Sequence, residues 1–204
     1  MAKQMGRAYL AALTPMVEAI DRRLRDRLQV IEYSNSPDCV FRLQIINCEG
    51  DLQLDDGTRL RRGDRVIDLH LWNEQIPRMP DGAPTLAFAR RIERCVELSL
   101  SELAKFLAAR RDLDDIRAIR GNMSLGAQHR SDQSARIAAR YGFERVSQLE
   151  PPSFARTLHR LGENVLVTML ALARNPGSVR GDTLWRDRTL TYLSRRTLEN
   201  RYAG

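Results

Sequence analysis

The chain has 204 residues, 43% hydrophobic and 29% charged, so it holds enough apolar material for one core and is not a low-complexity or disordered polypeptide. Its net charge is +7, yet only Lys3 and Lys105 among the 33 basic residues are lysines, an arginine bias that points to genome composition. The basic runs at 22–27 and 59–65 are broken by Asp and Leu and carry no interleaved aromatics, so no nucleic-acid surface is expected.

The longest apolar run, residues 165–173, is far below the roughly 20 residues that span a bilayer. Cys39, Cys48 and Cys95 lack metal-ligand spacing and cannot all pair. With no signal peptide expected, they read as reduced thiols in a cytoplasmic protein without a transmembrane segment.

In chain order, the first predicted element is an amphipathic helix over residues 7–31. Leu13, Val17, Ile20, Leu24, Leu28 and Ile31 recur on one face of it. Residues 1–33 are expected to form a segment ahead of a domain spanning 34–204, with Ser34-Asn35-Ser36-Pro37 as the loop between. A strand over 40–47 follows, then a hairpin of 52–54 and 58–60 around Asp55-Asp56-Gly57. Gly63-Asp64 turns the chain into a strand over 66–72.

A helix over 84–111 comes next, with Pro84 in its first turn and Leu86, Ala89, Ile92, Val96, Leu100, Leu103 and Leu107 on one face. The rest reads as a strand over 116–123, a helix over 134–140, a strand over 142–146 and a helix over 154–173. A strand over 189–193 and a helix over 197–202 close the chain. The alternation predicts an α/β (α+β) layered domain whose sheet is mixed, mainly antiparallel and flanked by helices. Ile67, Leu69 and Leu71 require a covering helix, so strand 66–72 is expected inside the sheet with strand 116–123 beside it.

The chemistry concentrates on strand 66–72. Asp68 and His70 stand two apart, hence on one face, with Trp72 beyond them. Such a pair is costly in an apolar strand unless it is used or paired. His70 reads either as a general base oriented by Asp68, or as a structural histidine with Asp68 satisfied by a loop amide or an arginine.

Asn73 stands just past the strand and suits a cap or a substrate contact. Arg78 lies in the following loop and is suited to a phosphate or carboxylate. Arg120 and Asn122 flank Gly121 on the strand expected beside Asp68, and with Ser124 they complete a candidate cleft. His129 and His159 have no partners at ligand spacing, so no metal site is expected. Ser194-Arg195-Arg196 reads as a helix N-cap followed by solvated arginines.

Several of these residues carry a resemblance. Asp56-Gly57-Thr58 with Gly63-Asp64, Leu69-His70-Leu71-Trp72-Asn73, Ile116-Arg-Ala-Ile-Arg-Gly121 and Tyr192-Leu-Ser-Arg195 resemble the YkoP-like domain. That bacterial family occurs alone or fused to polysaccharide deacetylase modules, so the resemblance implies an envelope-glycan context without a defined activity.

The layout of strand, Pro/Gly loop, long helix, strand and Tyr141-Gly142-Phe143-Glu144 also resembles the acyl-CoA N-acyltransferase (GNAT) superfamily. In that superfamily the loop has the form Arg/Gln-x-x-Gly-x-Gly/Ala and holds the pyrophosphate of coenzyme A on its amides. The resemblance gives that role to Arg78, Gly82 and Ala83. Here the loop reads Arg78-Met-Pro-Asp-Gly82-Ala83-Pro84, with two prolines that remove amides and a repelling Asp81, and Ala138 stands where the superfamily often has its acidic tyrosine. Weak binding of coenzyme A or an acyl-CoA is expected.

These readings point to a bacterial protein of envelope glycan or glycolipid metabolism with a degenerate acyltransferase-like cleft. In it His70 and Asp68 would be catalytic, and Trp72, Asn73, Arg120 and Asn122 would hold substrate. The other reading is a non-catalytic module that docks a deacetylase or glycosyltransferase through the N-terminal helix.

Overall fold

The structure, a computed structural model, describes residues 29–72, 74–78, 80, 85–123, 131–146 and 189–204. For residues 122, 123, 131–135 and 189 it describes the backbone alone. From Ile31 onward these residues belong to one compact unit, Ile31–Pro151 with Asp187–Gly204. The helices predicted over 7–31 (up to residue 28) and over 154–173 lie outside the described residues.

Among the described residues there are seven strands: β1 (Phe41–Asn47), β2 (Leu52–Gln53), β3 (Arg59–Leu60), β4 (Arg65–Leu71), β5 (Ala118–Met123), β6 (Glu144–Arg145) and β7 (Thr189–Ser194). Helix α1 (Leu86–Ala108) joins β4 to β5 through a 3-10 turn at Arg111–Leu113; α2 (Ser131–Arg140) precedes β6, and α3 (Arg195–Tyr202) follows β7. Five strands form one sheet in the order β1-β4-β5-β7-β6, and β2-β3 form a separate hairpin. The β4–β5 pair is parallel and the other three pairs of the sheet are antiparallel, as the sequence pattern predicts for the class.

Strand β4 lies inside the sheet, between β1 and β5. Its Ile67 and Leu69 join Leu43, Ile119 and Leu193 in a core closed by Leu100, Leu103 and Leu107 of α1 and Leu198 of α3. The opposite sheet face is covered by the hairpin, whose Leu54 and Leu60 pack on Val66, Ala118, Tyr192 and Cys48. Both faces of the central strands are therefore buried, which accounts for the near-continuous apolar character of β4. Cys39, Cys48 and Cys95 are all buried and unbridged.

Several expected details differ. Gln29 has φ 49° and Ile31 bridges Leu43 of β1, so residues 29–31 are not helical as predicted. Thr85 is the N-cap of α1, its hydroxyl accepting the Phe88 amide; Pro84, expected in the first turn, lies outside the described residues. The buried side of α1 begins at Cys95, leaving Leu86 at 68% exposure and Ala89 exposed as well. The reason is length: 23 residues of helix span about 34 Å and seven of strand about 23 Å, so the first turns of α1 overshoot the sheet. Leu71 ends β4 and is 40% exposed, not covered as expected.

The turn residues of the sequence pattern become joints. The Leu54–Thr58 turn uses Gly57 at φ 84°, where a side chain would be strained, and Asp56 Oδ1 accepts the Thr58 amide at 2.9 Å. Ser194 Oγ donates to Asp56 Oδ2 at 2.6 Å and also accepts the Thr197 amide as N-cap of α3. Arg196 adds contacts to the Asp56 carboxylate and carbonyl, and Glu144 accepts the Asp55 amide at 2.7 Å. One turn thus ties the hairpin to β6, β7 and α3.

Arg195, expected to be solvated, is largely buried. It donates to the carbonyls of Leu113 (2.8 Å) and Leu107 (3.2 Å) while Glu199 holds its Nε at 2.7 Å. It therefore caps the C-terminal end of α1, whose last carbonyls have no helical partner.

Burial works against the Asp56 carboxylate, but hydrogen bonds from Ser194 and Thr58 and the charge of Arg196 outweigh it, holding the pKa at about 2 against the ordinary 3.8. A depressed carboxyl contributes stability above its unfolded pKa and loses it as pH falls through the folded one. Urea denaturation should therefore show the hairpin joint intact above pH 4 and lost toward pH 2. Asp56→Asn should be less stable at pH 5 and should show a shallower fall over that acid range. Equal acid slopes for the two proteins would refute the joint.

Candidate functional site

Because side chains alternate along a strand, β4 presents Val66, Asp68 and His70 on the hairpin side of the sheet. Pairing register then assembles a row across five strands. Gln44 of β1 lies opposite Asp68, Asp68 beside Arg120 of β5, Arg120 opposite Tyr192 of β7, and Tyr192 opposite Glu144 of β6. The parallel register places Asp68 and Arg120 side by side.

They form a bidentate pair, Nε to Oδ1 at 2.8 Å and Nη2 to Oδ2 at 2.9 Å, with the side chains only 16% and 9% exposed. Glu49 approaches Arg120 Nη1 at 3.4 Å. Burial opposes the arginine's charge, but hydrogen bonds and charge from Asp68 outweigh it and hold its pKa above the ordinary value. Burial also pushes the Tyr192 phenol up to about 12, despite the neighbouring Arg120, so Tyr192 is a neutral side chain at physiological pH.

His70 sits at the rim of this row, its side chain 37% exposed. Its Nε2 lies 3.3 Å from Gln44 Oε1 and 3.4 Å from Asp68 Oδ2. Half-buried Trp72, just past the strand, stacks on Arg42 of β1 with the guanidinium 5.5 Å from the ring centroid, and Glu74 stands 3.8 Å from that guanidinium. Arg120 takes both carboxylate oxygens of Asp68, and His70 touches one of them at longer range.

The seam between β4 and β5 has a further property. Its ladder runs from Ile67↔Ile119 to Leu69↔Gly121 and stops there. His70 and Leu71 go on pairing with Arg42 and Phe41, while Asn122 and Met123 go on pairing with Leu190 and Thr189. The two parallel strands therefore leave their shared ladder at their carboxyl ends, where His70 sits. Gly121 marks the last shared position. A Cβ there would meet Phe143 Cε1 at 3.0 Å and Thr191 Oγ1 at 3.2 Å, so glycine is what lets Phe143 close the helix side of the seam.

The predicted site residues divide accordingly. Asp68, His70 and Arg120 come together, with Trp72 beside them on Arg42. Asn122 follows on β5 with only its backbone described, and Arg78 is exposed. Asn73, Gly82, Ala83, Ser124, His129 and His159 lie outside the described residues. Sequence reasoning missed Arg42, Gln44, Glu49 and Tyr192. Alternation in β1 does put Arg42 and Gln44 on one face, but only the β1–β4 register brings that face to Asp68 and His70.

Among the described residues, no group of three or more His, Cys, Asp or Glu could hold a metal ion, and no helix is long and apolar enough to cross a membrane. A shallow concavity of about 480 Å³ lies away from this row, lined by Gly63, Asp64, Arg65, Asp114, Asp115 and Arg117. Its charges are already paired, Arg65 with Asp115 at 2.8 Å and Arg117 with Asp64 at 2.6 Å.

The YkoP domain family matches residues 7–202. The chain belongs to this family. It has no match among the curated proteins or among the solved structures. The segments that carried the YkoP resemblance now have positions: Asp56-Gly57-Thr58 and Ser194-Arg195 form the hairpin and helix joints, and Gly63-Asp64 the turn into β4. Leu69-His70-Leu71-Trp72 and Ile119-Arg120-Gly121 border the seam.

A buried pair broken on one side leaves a stranded charge, which costs about 3–5 kcal/mol. Arg120→Met should therefore destabilise the protein by roughly that amount, and Asp68→Leu similarly. The double variant should cost far less than the two added together. Chemical denaturation of the four proteins measures this cycle, and simple additivity would mean that the pair is not coupled.

Proposed function

We propose that this YkoP protein binds an acylated or sugar-containing metabolite of bacterial envelope glycan or glycolipid metabolism at the carboxyl ends of β4 and β5, in an acyltransferase-like manner. The observation that supports this reading most is the ending of the β4–β5 ladder at Leu69–Gly121, beside His70 and next to the Asp68–Arg120 pair. Carboxyl ends of adjacent parallel strands that part company are a recurrent ligand position in sheets crossed by helices. The β4–α1–β5 order also agrees with the layout resemblance to the GNAT superfamily.

In this reading His70 is the proton acceptor. The hydroxyl or amine of the acceptor substrate loses its proton to His70 while its oxygen or nitrogen bonds to the acyl carbon. The donor's C–S bond breaks, and the proton passes on to the departing thiolate. Asp68, neutralised by Arg120, keeps a partial charge near the imidazole, and Trp72 offers an aromatic wall for a sugar ring. Arg78 and the amides of Gly82 and Ala83 would hold the donor's anionic group. Thr85 already takes the Phe88 amide, which leaves fewer bare amides at the start of α1 for a pyrophosphate.

A thermal-shift series with coenzyme A, acyl-CoAs and nucleotide sugars tests the reading. A true ligand at about 100 times its dissociation constant adds roughly 2.7 kcal/mol of apparent stability. His70→Ala should keep the ligand-free melting temperature and lose that increment. If no compound stabilises the wild-type protein, the reading fails; if the variant melts early without ligand, His70 is structural instead.

Coenzyme A by itself should bind no more tightly than about millimolar in calorimetry. Micromolar affinity would overturn the argument that Pro80, Asp81 and Pro84 have weakened the loop.

A further inference from the structure

We infer that the exposed face of the first turns of α1 docks on an anionic phospholipid bilayer. Among the described residues the exposed large hydrophobics are Leu71, Leu86 and Ile137, at 40%, 68% and 44%. Scattered singly they would need no explanation, but topology gathers them toward one end of the sheet. Leu71 closes β4 at its carboxyl end, and because β4 and β5 are parallel, α1 between them runs back from that end. Strand β6 is antiparallel to β7, as β5 is, so α2 runs back in the same sense. Arg140 of α2 reaches Glu93 of α1 at 2.6 Å, and Ile137 stands about one turn before it, on the side toward the start of α1.

The charge on this face is cationic. The first turn of α1 holds no acid, and Arg90, Arg91 and Arg94 are exposed, with no hydrogen bond or ion pair among the described residues. At helical spacing Leu86, Arg90 and Arg94 make one stripe, with Arg91 beside it. Glu93 neutralises Arg140 rather than these three. The amino ends of β4 and β5 show the opposite pattern, since Arg65 and Arg117 are each taken there by an aspartate.

That complementarity selects the occupant. Single apolar side chains among arginines suit a headgroup layer: leucine enters the acyl boundary while the guanidinium groups stay with lipid phosphates. A folded protein partner would want a contiguous apolar centre, and a nucleic acid would leave Leu86 unused. Docked in this way, the carboxyl ends of β4 and β5 face the bilayer surface. The docking does not rest on the acyl-transfer reading.

Co-sedimentation of the full chain with vesicles tests the proposal, using phosphatidylcholine alone and phosphatidylcholine with phosphatidylglycerol in equal parts. The wild-type protein should bind the mixed vesicles, leave them at high salt, and ignore the neutral ones. Leu86→Ser should weaken binding roughly tenfold. The triple variant Arg90→Gln, Arg91→Gln, Arg94→Gln should weaken it roughly a hundredfold. All four side chains are exposed, so both variants should melt like the wild type.

Failure of the wild-type protein to bind the mixed vesicles would overturn the proposal, whatever the variants do. So would binding that survives both variants, which would place it elsewhere in the chain. Binding that polyuridylate abolishes and Leu86→Ser leaves unchanged would mark a nucleic-acid surface and equally sink the bilayer.

Discussion

The ion pair between Asp68 and Arg120 is the constraint around which the described unit is arranged. Strand β4 is buried on both faces, by α1 on one side and by the β2–β3 hairpin on the other. A carboxylate in such a strand is strongly unfavourable without a full counterpart. Arg120 supplies it only because β4 and β5 are parallel and in a register that sets the two residues level. That parallel pair in turn requires a crossover, which α1 provides. The hairpin covers the same face of the sheet, packing on Val66, Ala118 and Tyr192, and is itself locked to β6, β7 and α3 by the Asp55-Asp56 turn.

The same arrangement creates the candidate site. With Asp68 neutralised, the polar row ends at its rim in His70, partly exposed and held by two oxygens at one nitrogen. The ladder between β4 and β5 ends one residue before His70, and the first turns of α1 extend past the sheet at the same end. A partly exposed, oriented imidazole at a seam between parallel strands is suited to handling a proton. The pocket-like hollow at 63–65 and 114–117 is a different matter, since its arginines and aspartates already satisfy one another.

Much of the fold was legible in the chain. Alternation and turn residues mark each strand of the main sheet to within a few residues, helical periodicity marks α1, and the N-cap signal at Ser194 marks α3. The central position of β4 followed from Ile67 and Leu69, which a surface strand would leave exposed. The failures share a cause. Leu71 and Leu86 fit their periodic patterns yet stay exposed, because a pattern reports which side of an element is apolar and not where its neighbour ends. Arg195 reads as solvated in the sequence because an arginine after an N-cap can be satisfied on the surface by a neighbour such as Glu199; the partners that bury it, Leu107, Leu113 and Asp114, come from elements far back in the chain.

The site divides along the same line. That Asp68 and His70 share a face, and that an arginine is one way to satisfy Asp68, follows from the two-residue period of a strand and the cost of a buried charge. Which arginine, and how little of Asp68 then remains for His70, depended on strand order and register. So did the arrival of Gln44, 26 residues earlier in the chain, beside the imidazole. Local chemistry along the chain determined the elements, their apolar faces and the charge that needed a partner. Pairing between distant segments decided who that partner is, because hydrogen-bond register across a sheet is a property of two strands at once and is written in neither.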